Sequence, residues 1–324
     1  MKIPGFVDVQ VNGYAAIDFS DPSLTDESLA QAADGVLSSG TAGFLPTIIT
    51  SPMAVYERNI PLIVRMMRTE RFRGRILGLH LEGPFISKEP GAVGAHDPGS
   101  VIPPSTDALD RLIALSEGTI RLITIAAEVQ AADALCRYAV SKGITVSLGH
   151  ELASYPDMVR LRDAGARALT HLGNGVPNML PRHDNPIWAG AAIDGLSAML
   201  ITDGHHLPPP VITALIRAKG VANVVITSDA SPLAGMPPGE YHTLGNRAVL
   251  EPSGKLHNPD KGCLVGSSVM MLACANHLNS LGIVTAKEIV LMGLDNPLAL
   301  IGLSRKSLAP VKKGVRYEGS FIKQ

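Results

Sequence analysis

The chain has 324 residues, 46% of them hydrophobic, and its 28 basic and 29 acidic side chains leave a net charge of -1. This balance, without basic or acidic blocks, excludes the electrostatic pattern of a protein that binds nucleic acid or an anionic membrane surface, and it favours small-molecule partners. The N-terminus lacks the apolar core of a signal peptide and no apolar run is long enough to span a membrane, so we expect a soluble protein.

From the N-terminus, apolar strand patterns alternate with amphipathic helix patterns. Strands are predicted at residues 6–11, 42–50, 76–82, 120–127, 144–148, 167–170, 196–201 and 224–227. Helices are predicted between them at residues 26–39, 53–68, 106–116, 131–142, 155–164 and 209–218, with Thr25 as the first N-cap. Eight strands in this alternation predict an α/β fold of the (β/α)8 TIM-barrel type rather than an open doubly wound sheet.

Residues 239–262 interrupt the alternation. Short alternating runs separated by Gly245-Asn246 and Pro252-Ser253-Gly254 predict a β-hairpin excursion from the barrel. Helical patterns resume at residues 267–280 and 286–292, and Pro297 opens another short helix. We therefore predict a barrel over residues 1–302, which includes the excursion, and a C-terminal tail over residues 303–324.

Four of the predicted strands end in residues that can bind a metal or transfer a proton: Glu82, His150, His171 and Asp229. A lone histidine at a strand end is more often a hydrogen-bonded core residue. A barrel, however, brings all strand carboxyl ends to one face, so these side chains are expected to converge. Two histidines and a carboxylate form a common catalytic metal site, and a further carboxylate beside it can act as general base and acid.

Seven motifs occur in the order expected of the N-acetylglucosamine-6-phosphate deacetylase family of the amidohydrolase superfamily, which the chain resembles over nearly its whole length. They begin at residues 5, 80, 148, 170, 202, 228 and 264, and read Gly-Phe-Val-Asp-Val-Gln, His-Leu-Glu-Gly-Pro, Leu-Gly-His, Thr-His-Leu-Gly-Asn, Thr-Asp-Gly-His-His, Ser-Asp-Ala and Leu-Val-Gly-Ser. The resemblance implies that Glu82, His150 and His171 bind the metal and that Asp229 is the general acid/base.

The same resemblance implies the residues that contact substrate. His96 would stabilise the acetyl oxygen, and Asn174, Gly175 and Arg182 would form the phosphate site. His206 rather than His205 would contact the sugar, by its spacing from Asp203, and Leu264 would line the pocket. The text around Arg182, Pro-Arg-His-Asp-Asn-Pro, departs from the family's His-Arg-Glu-Pro-Gly, which leaves the sugar and its phosphorylation open.

Gln10 and Asn12 stand where many members of the superfamily have His-x-His, which builds a second metal position. Amide side chains are poor zinc ligands, and no lysine follows the fourth strand to bridge two ions. We therefore expect a vacant second position and one divalent metal ion, Zn²⁺ first, with Fe²⁺, Co²⁺ or Mn²⁺ as alternatives. The family's small β-sandwich should be reduced or absent, with residues 303–324 as its remnant.

These features predict metal-dependent deacetylation of N-acetylglucosamine 6-phosphate by a metal-activated water, with an aspartate as general acid/base. The alternatives are a deacetylase for a related sugar, such as N-acetylgalactosamine 6-phosphate or an unphosphorylated amino sugar, and a catalytically silent barrel that binds a sugar phosphate. The expected partner is a small amino sugar phosphate, with a second copy of the chain in a homodimer. Cys136, Cys263 and Cys274 lack paired spacing, which indicates buried thiols in the reducing cytoplasm.

Overall fold

The barrel strands follow one another in sequence order. The computed structural model describes residues 1–324. Its main sheet has eight parallel strands in which each strand pairs with the next along the chain. They are β1 (Phe6–Val11), β2 (Thr41–Ile49), β3 (Leu79–Glu82), β4 (Ile120–Ile125), β5 (Thr145–Leu148), β6 (Ala168–Leu169), β7 (Ser197–Ile201) and β8 (Val224–Thr227). The predicted (β/α)8 fold is confirmed.

The seam between β1 and β8 is closed by a backbone hydrogen bond together with hydrogen bonds to one buried side chain. The backbone N–H of Asn12 donates to the carbonyl of Ala230 at 2.8 Å. Below this bond, the buried carboxylate of Asp8 accepts hydrogen bonds from Thr227 Oγ1 at 2.9 Å and from the backbone N–H of Ser228 at 3.1 Å. The first strand is therefore tied to the carboxyl end of the last one, where the predicted acid/base residue lies.

Helices cover the outside of the barrel. They are α1 (Asp26–Ser38), α2 (Met53–Arg68), α3 (Thr106–Leu115), α4 (Ala132–Ser141), α5 (Tyr155–Asp163), α6 (Pro186–Ala192), α7 (Pro209–Lys219), α8 (Met271–Ser280), α9 (Ala286–Val290) and α10 (Asn296–Leu300). A π-helical segment, Leu291–Asp295, joins the last two, and 3-10 turns lie at Pro98–Ser100, Val221–Asn223 and Arg305–Ser307. No helix of the structure combines the length and apolar character needed to cross a membrane.

Helix boundaries follow local capping. Thr25 caps α1 as predicted, because its hydroxyl accepts the N–H of Ser28 at 3.2 Å while the Ser28 hydroxyl accepts the N–H of Thr25 at 3.0 Å. The helix predicted to start at residue 267 begins only at Met271. Ser267 is held in extended backbone instead, because its N–H donates to the Asp229 carbonyl at 2.8 Å.

One cluster of 76 buried apolar side chains joins the strands to the helix layer. Its largest fully buried members include Phe6, Phe19, Phe44 and Tyr56. Interiors packed in this way deform little, so the strand ends above the cluster are held in fixed relative positions.

The excursion contains four strands rather than the predicted hairpin. Gly239–Thr243, Asn246–Leu250, Leu256–Asn258 and Cys263–Leu264 form an antiparallel sheet with its own small apolar cluster. The last two strands have three and two residues, too few for an alternating pattern to show. The Asn246 amide donates to the Ala95 carbonyl at 2.8 Å, which joins this sheet to the loop after β3.

The two chain ends meet in a second small sheet. Lys2–Ile3 pairs antiparallel with Val315–Tyr317, which pairs with Phe321–Lys323. Phe321 is 2% exposed and packs edge to face against Phe6 of β1, with ring centroids 5.2 Å apart. A further antiparallel pair, Gly13–Tyr14 with Ile17–Asp18, follows β1. The division into a barrel over 1–302 and a tail over 303–324 stays a prediction.

Replacing Phe321 with alanine tests whether this tail stabilises the barrel. Phe321→Ala removes a buried ring from the floor of the barrel and should lower the free energy of unfolding by about 3–5 kcal/mol. Ile322 in the same strand is 45% exposed, so Ile322→Ala should change it by less than about 0.5 kcal/mol. Urea unfolding of the two variants measures both. Equal effects of the two substitutions would show that the tail packs loosely.

Candidate active site

The predicted site residues stand where the chain turns away from the barrel. Glu82 is the last residue of β3, whereas His150, His171 and Asp229 each follow their strand by two residues. These three have positive φ values of 50°, 31° and 50°. Left-handed backbone costs a non-glycine residue about 1–2 kcal/mol and commonly marks functional sites, because the surrounding structure must hold it.

Glu82, His150 and His171 meet at one point. His171 Nε2 lies 2.9 Å from Glu82 Oε1, His150 Nε2 lies 3.2 Å from the same oxygen, and the two Nε2 atoms are 3.1 Å apart. All three side chains are buried. Burial favours the neutral carboxyl, but the neighbouring rings of His150, His171 and His96 outweigh this effect and hold the pKa of Glu82 well below its usual range.

The donor set fits a divalent metal ion. His150 Nδ1 lies 2.8 Å from the Ala92 carbonyl, so this nitrogen carries the proton and the neutral ring directs a lone pair at Nε2 towards Glu82 and His171. Two imidazole nitrogens and an anionic oxygen crowded around one point repel one another unless a proton or a cation lies between them. Two histidines and a carboxylate are a common catalytic zinc set. Of the His, Cys, Asp and Glu side chains, this trio alone clusters closely enough to hold a metal ion.

His96 directs an N–H group into the same site. The backbone N–H of Thr50 donates to His96 Nδ1 at 3.2 Å, which places the proton of the neutral ring on Nε2. That nitrogen lies 3.2 Å from His150 Nε2 and 3.6 Å from Glu82 Oε2. Burial and the neighbouring His150 lower the pKa of His96 to about 4, so the ring is neutral at pH 7 and acts as a hydrogen-bond donor.

Asp229 faces this cluster from the end of β8. Its Oδ1 accepts a hydrogen bond from Asn12 Nδ2 at 2.8 Å, and its backbone carbonyl is held by the N–H of Ser267. Burial, together with the nearby charge of Glu82, raises the pKa of Asp229 to about 6. A carboxyl group with a raised pKa can both take and return a proton near neutral pH.

His206 is oriented by an aspartate three residues before it. His206 Nδ1 lies 2.8 Å from Asp203 Oδ2, while Asp203 Oδ1 accepts the backbone N–H groups of His205 at 2.8 Å and His206 at 2.9 Å. Although burial opposes ionisation, these contacts hold the pKa of Asp203 well below its usual range. His206 contributes to the cavity wall, whereas the His205 ring lies towards Gly254.

A cavity of about 420 Å³ opens above these groups. Most of the predicted site residues line it: Asn12, Glu82, His96, His150, His171, Asn174, Gly175, His206, Asp229 and Leu264. Gly175 lies against both metal-site rings, because a Cβ there would come within 3.0 Å of His171 and 3.2 Å of His150. Gln10 is buried beside Glu82, outside the cavity wall. Arg182 is exposed and does not line the cavity, although Leu180 does.

Sequence reasoning missed several residues of this site. Cys263, Leu244, Asn178 and Ile187 line the cavity, and their local sequences carry no chemical signal. Cys263 was expected among the buried thiols and is half-buried in the cavity wall, whereas Cys136 and Cys274 are buried as expected. The Asp203 contact could have been found from its three-residue spacing to His206.

Comparisons with known proteins agree on one kind of enzyme, although no protein-family model matches the chain. The chain is 34% identical over 315 residues to the N-acetylglucosamine-6-phosphate deacetylase of Bos taurus, which covers 94% of the chain and 75% of the relative. It is 29% identical over 316 residues to the N-acetylgalactosamine-6-phosphate deacetylase of Escherichia coli O157:H7, and this match covers 97% of the chain and 81% of the relative. The crystal structure of the N-acetyl-D-glucosamine-6-phosphate deacetylase from Mycobacterium smegmatis matches with a TM-score of 0.88 at 26% identity. This match covers 99% of the chain and 84% of the Mycobacterium smegmatis chain.

Proposed function

Because the chain belongs to the N-acetylglucosamine-6-phosphate deacetylase family, we propose that it hydrolyses N-acetylglucosamine 6-phosphate to glucosamine 6-phosphate and acetate. The observation that carries this proposal is the convergence of Glu82, His150 and His171 with Asp229 in one cavity. Three metal-binding groups and a carboxyl group with a raised pKa are the parts that hydrolysis of an amide by water requires.

Glu82 Oε1 and the Nε2 atoms of His150 and His171 would hold a single divalent ion. When bound, the ion supplies Lewis-acid polarisation of the acetyl carbonyl and makes water easier to deprotonate. We propose zinc, with divalent iron, cobalt or manganese as alternatives, because the ligand set accepts several metals. The Gln10 amide donates a hydrogen bond to Glu82 and the Asn12 amide donates one to Asp229, and neither residue has the imidazole that would bind a second ion.

Asp229 and His96 would carry out the proton transfer and the stabilisation of charge. Asp229 removes a proton from the attacking water as the new C–O bond forms, and then delivers that proton to the nitrogen as the C–N bond breaks. His96 donates its Nε2 proton in a hydrogen bond to the acetyl oxygen while negative charge builds there. The products are acetate and the ammonium form of the amino sugar, because the second water proton, carried by the new carboxyl group, passes to the amine when that group ionises. All atoms and charges of the substrate and water are then accounted for.

The remaining lining residues would hold the sugar phosphate. His206, fixed by Asp203, would bond a sugar hydroxyl, and Leu264 would pack against the ring. Asn174 and the backbone N–H of Gly175 would meet the phosphate end. We propose that Arg182, two residues beyond the cavity-lining Leu180, reaches the phosphate from the rim, because a guanidinium group matches phosphate oxygens.

Two further proposals concern the protein as a whole. We propose a cytoplasmic location, which the three unpaired cysteines support because a reducing compartment keeps thiols free. We also propose a homodimer, which the exposed Met179 and Trp188 support, since these side chains are 89% and 58% accessible and such residues favour protein interfaces.

Acetate release from phosphorylated and unphosphorylated sugars tests the proposed function. The wild-type protein should cleave N-acetylglucosamine 6-phosphate far faster than N-acetylglucosamine. Arg182→Ala should raise KM for the phosphorylated sugar about 10-fold, the loss of a charged hydrogen-bond pair, and leave the unphosphorylated sugar unchanged. Arg217→Ala removes an exposed arginine of α7 and serves as the matched control. An Arg182→Ala enzyme with unchanged KM would place the phosphate elsewhere.

The same assay separates the alternatives. The Escherichia coli O157:H7 relative is named for N-acetylgalactosamine 6-phosphate, so that sugar is the second substrate to measure. Faster cleavage of the galactose form would reassign the substrate without changing the chemistry. A purified protein that binds the sugar phosphate but holds no metal would instead support the catalytically silent barrel.

A further inference from the structure

The inward-facing residues of the first strand each hold a different part of the site. Asp8, Gln10 and Asn12 alternate along the strand and its end, and all three side chains are buried. Asp8 bonds to Thr227 and Ser228 at the end of β8, as described above. Gln10 Nε2 donates to Glu82 Oε1 at 2.7 Å, and Asn12 Nδ2 donates to Asp229 Oδ1 at 2.8 Å.

The orientation of the Asn12 amide follows from charge. Its backbone is fixed on both sides, because its N–H donates to the Ala230 carbonyl at 2.8 Å and its carbonyl accepts the N–H of Phe19 at 2.9 Å. The side chain therefore reaches Asp229 with either its nitrogen or its oxygen. An amide oxygen facing a carboxylate would be repulsive, so the NH₂ group must be the one that faces Oδ1. In this orientation the Asn12 Oδ1 atom is buried without a hydrogen-bond partner, which costs the free energy of its desolvation.

This bond distinguishes the two oxygens of Asp229. Oδ1 faces an N–H donor in either protonation state of the carboxyl group, so it has no room for a proton of its own. We propose that Asn12 is a positioning residue that holds Oδ1 and thereby makes Oδ2 the oxygen that takes the proton from water and returns it to the amine. The inference rests on the proposed function for its kinetic consequence, and on the geometry alone for the orientation of Asp229.

Loss of this bond should impair turnover more than binding. Without Asn12, the carboxyl group can rotate and present either oxygen, and a misplaced catalytic group can cost about 10²-fold in rate. In Asn12→Ala and in Asn12→Leu, which better conserves volume, we expect kcat to fall about 10- to 100-fold and KM to change less than about 3-fold. Metal content per chain should equal that of the wild type, because the ligands Glu82, His150 and His171 are untouched.

Asn296→Ala is the matched control. Asn296 Nδ2 donates to the carbonyls of Val221 at 2.8 Å and Val224 at 2.7 Å, where β8 begins, at the opposite end of the barrel. Its loss should lower the melting temperature and leave kcat unchanged. If the Asn12 variants lose stability but keep kcat within 2-fold of wild type, as a purely structural bond would predict, the proposal is overturned. Loss of metal from them would also overturn it, since Asn12 would then act on the metal site.

Crystal structures test the orientation without any substrate. In the wild type, the Asp229 carboxyl should occupy one orientation with Oδ1 on Asn12, whereas in Asn12→Leu it should rotate or occupy two orientations. An unchanged single orientation in the variant would refute the positioning role. If the wild type released no acetate from any of the sugars, the proposed function would fail, and the two crystal structures would still decide whether Asn12 positions Asp229.

Discussion

Asp229→Asn should lower kcat for acetate release by about 10³-fold, because an amide can neither take a proton from water nor return one to the amine, and general acid–base catalysis contributes about 10²–10⁴-fold. The substitution preserves the shape of the side chain. The new amide oxygen can still accept the hydrogen bond from Asn12 that Asp229 Oδ1 accepts at 2.8 Å. Its NH₂ group then stands at the position where an acceptor is needed. Steady-state kinetics at pH 7.5 measure kcat and KM, and metal analysis verifies that the ion remains bound.

Asp18→Asn is the control for this substitution. Burial raises the pKa of Asp18 to about 7, so it resembles Asp229 in being a carboxyl group that resists ionisation, but it does not line the cavity. Its replacement should leave kcat unchanged. If Asp229→Asn retained more than about a tenth of wild-type kcat with its metal bound, another group would have to move the proton. The Asp229→Asn protein should also be at least as stable as the wild type, since it no longer buries a carboxylate.

The barrel and the ends of its strands could be predicted because their signals are local. Each strand is a short apolar run that ends at glycine, proline or a polar residue, and each predicted helix has an amphipathic pattern. Once the alternation gave a barrel, Glu82, His150, His171 and Asp229 had to lie on one face, since parallel strands end together. The structure places all four in one cavity wall.

The contacts across the barrel could not be predicted in this way. Gln10 and Glu82 are 72 residues apart, and Asn12 and Asp229 are 217 apart. The Gln10–Glu82 contact depends on the register of β1, β2 and β3, and the Asn12–Asp229 contact depends on the register at the seam between β1 and β8; no local pattern encodes either. The sequence indicated only that Gln10 and Asn12 are poor metal ligands. Their second property, as donors to two carboxylates, needed the structure.

The shortest helices and strands also could not be predicted from the sequence. Helix α6 has seven residues, too few to establish helical periodicity, and it is fixed by Asn185, whose side chain accepts the N–H groups of Ile187 and Trp188 at 3.1 Å. The excursion was predicted as a hairpin because only its first two strands are long enough to alternate. Its last strand, Cys263–Leu264, nevertheless contributes both residues to the cavity wall.

Removal of the metal should abolish acetate release, and the substitution Glu82→Gln should weaken rebinding of the metal. A chelator should reduce acetate release by more than about 10³-fold, and added Zn²⁺ should restore it, because a divalent ion held by Glu82, His150 and His171 would both activate the water and polarise the acetyl carbonyl. Glu82→Gln keeps the volume of the side chain but replaces the anionic oxygen that lies 2.9 Å from His171 and 3.2 Å from His150 with a neutral amide. Its zinc affinity should fall by at least about 10²-fold, since amides are poor zinc ligands.

Thermal unfolding gives a readout of this site that does not depend on turnover. A ligand at about 1,000 times its Kd stabilises the folded state by about 4 kcal/mol, so Zn²⁺ should raise the melting temperature of the chelated wild type by several degrees. At the same Zn²⁺ concentration, an affinity about 10²-fold lower leaves Glu82→Gln with a stabilisation of about 1.4 kcal/mol or less, so its shift should be about a third of the wild-type shift or smaller. His277→Gln is the control, because His277 bonds the Thr202 carbonyl at 2.9 Å outside the trio and should keep the full shift. The shift should diminish as the pH falls, because protons compete with the ion for Nε2 of His171; burial opposes protonation of this ring, but the Glu82 carboxylate outweighs it and raises the pKa of His171. A zinc-induced shift of full wild-type size in Glu82→Gln would show that the ion binds elsewhere, and the assignment of Glu82, His150 and His171 as its ligands would have to be abandoned.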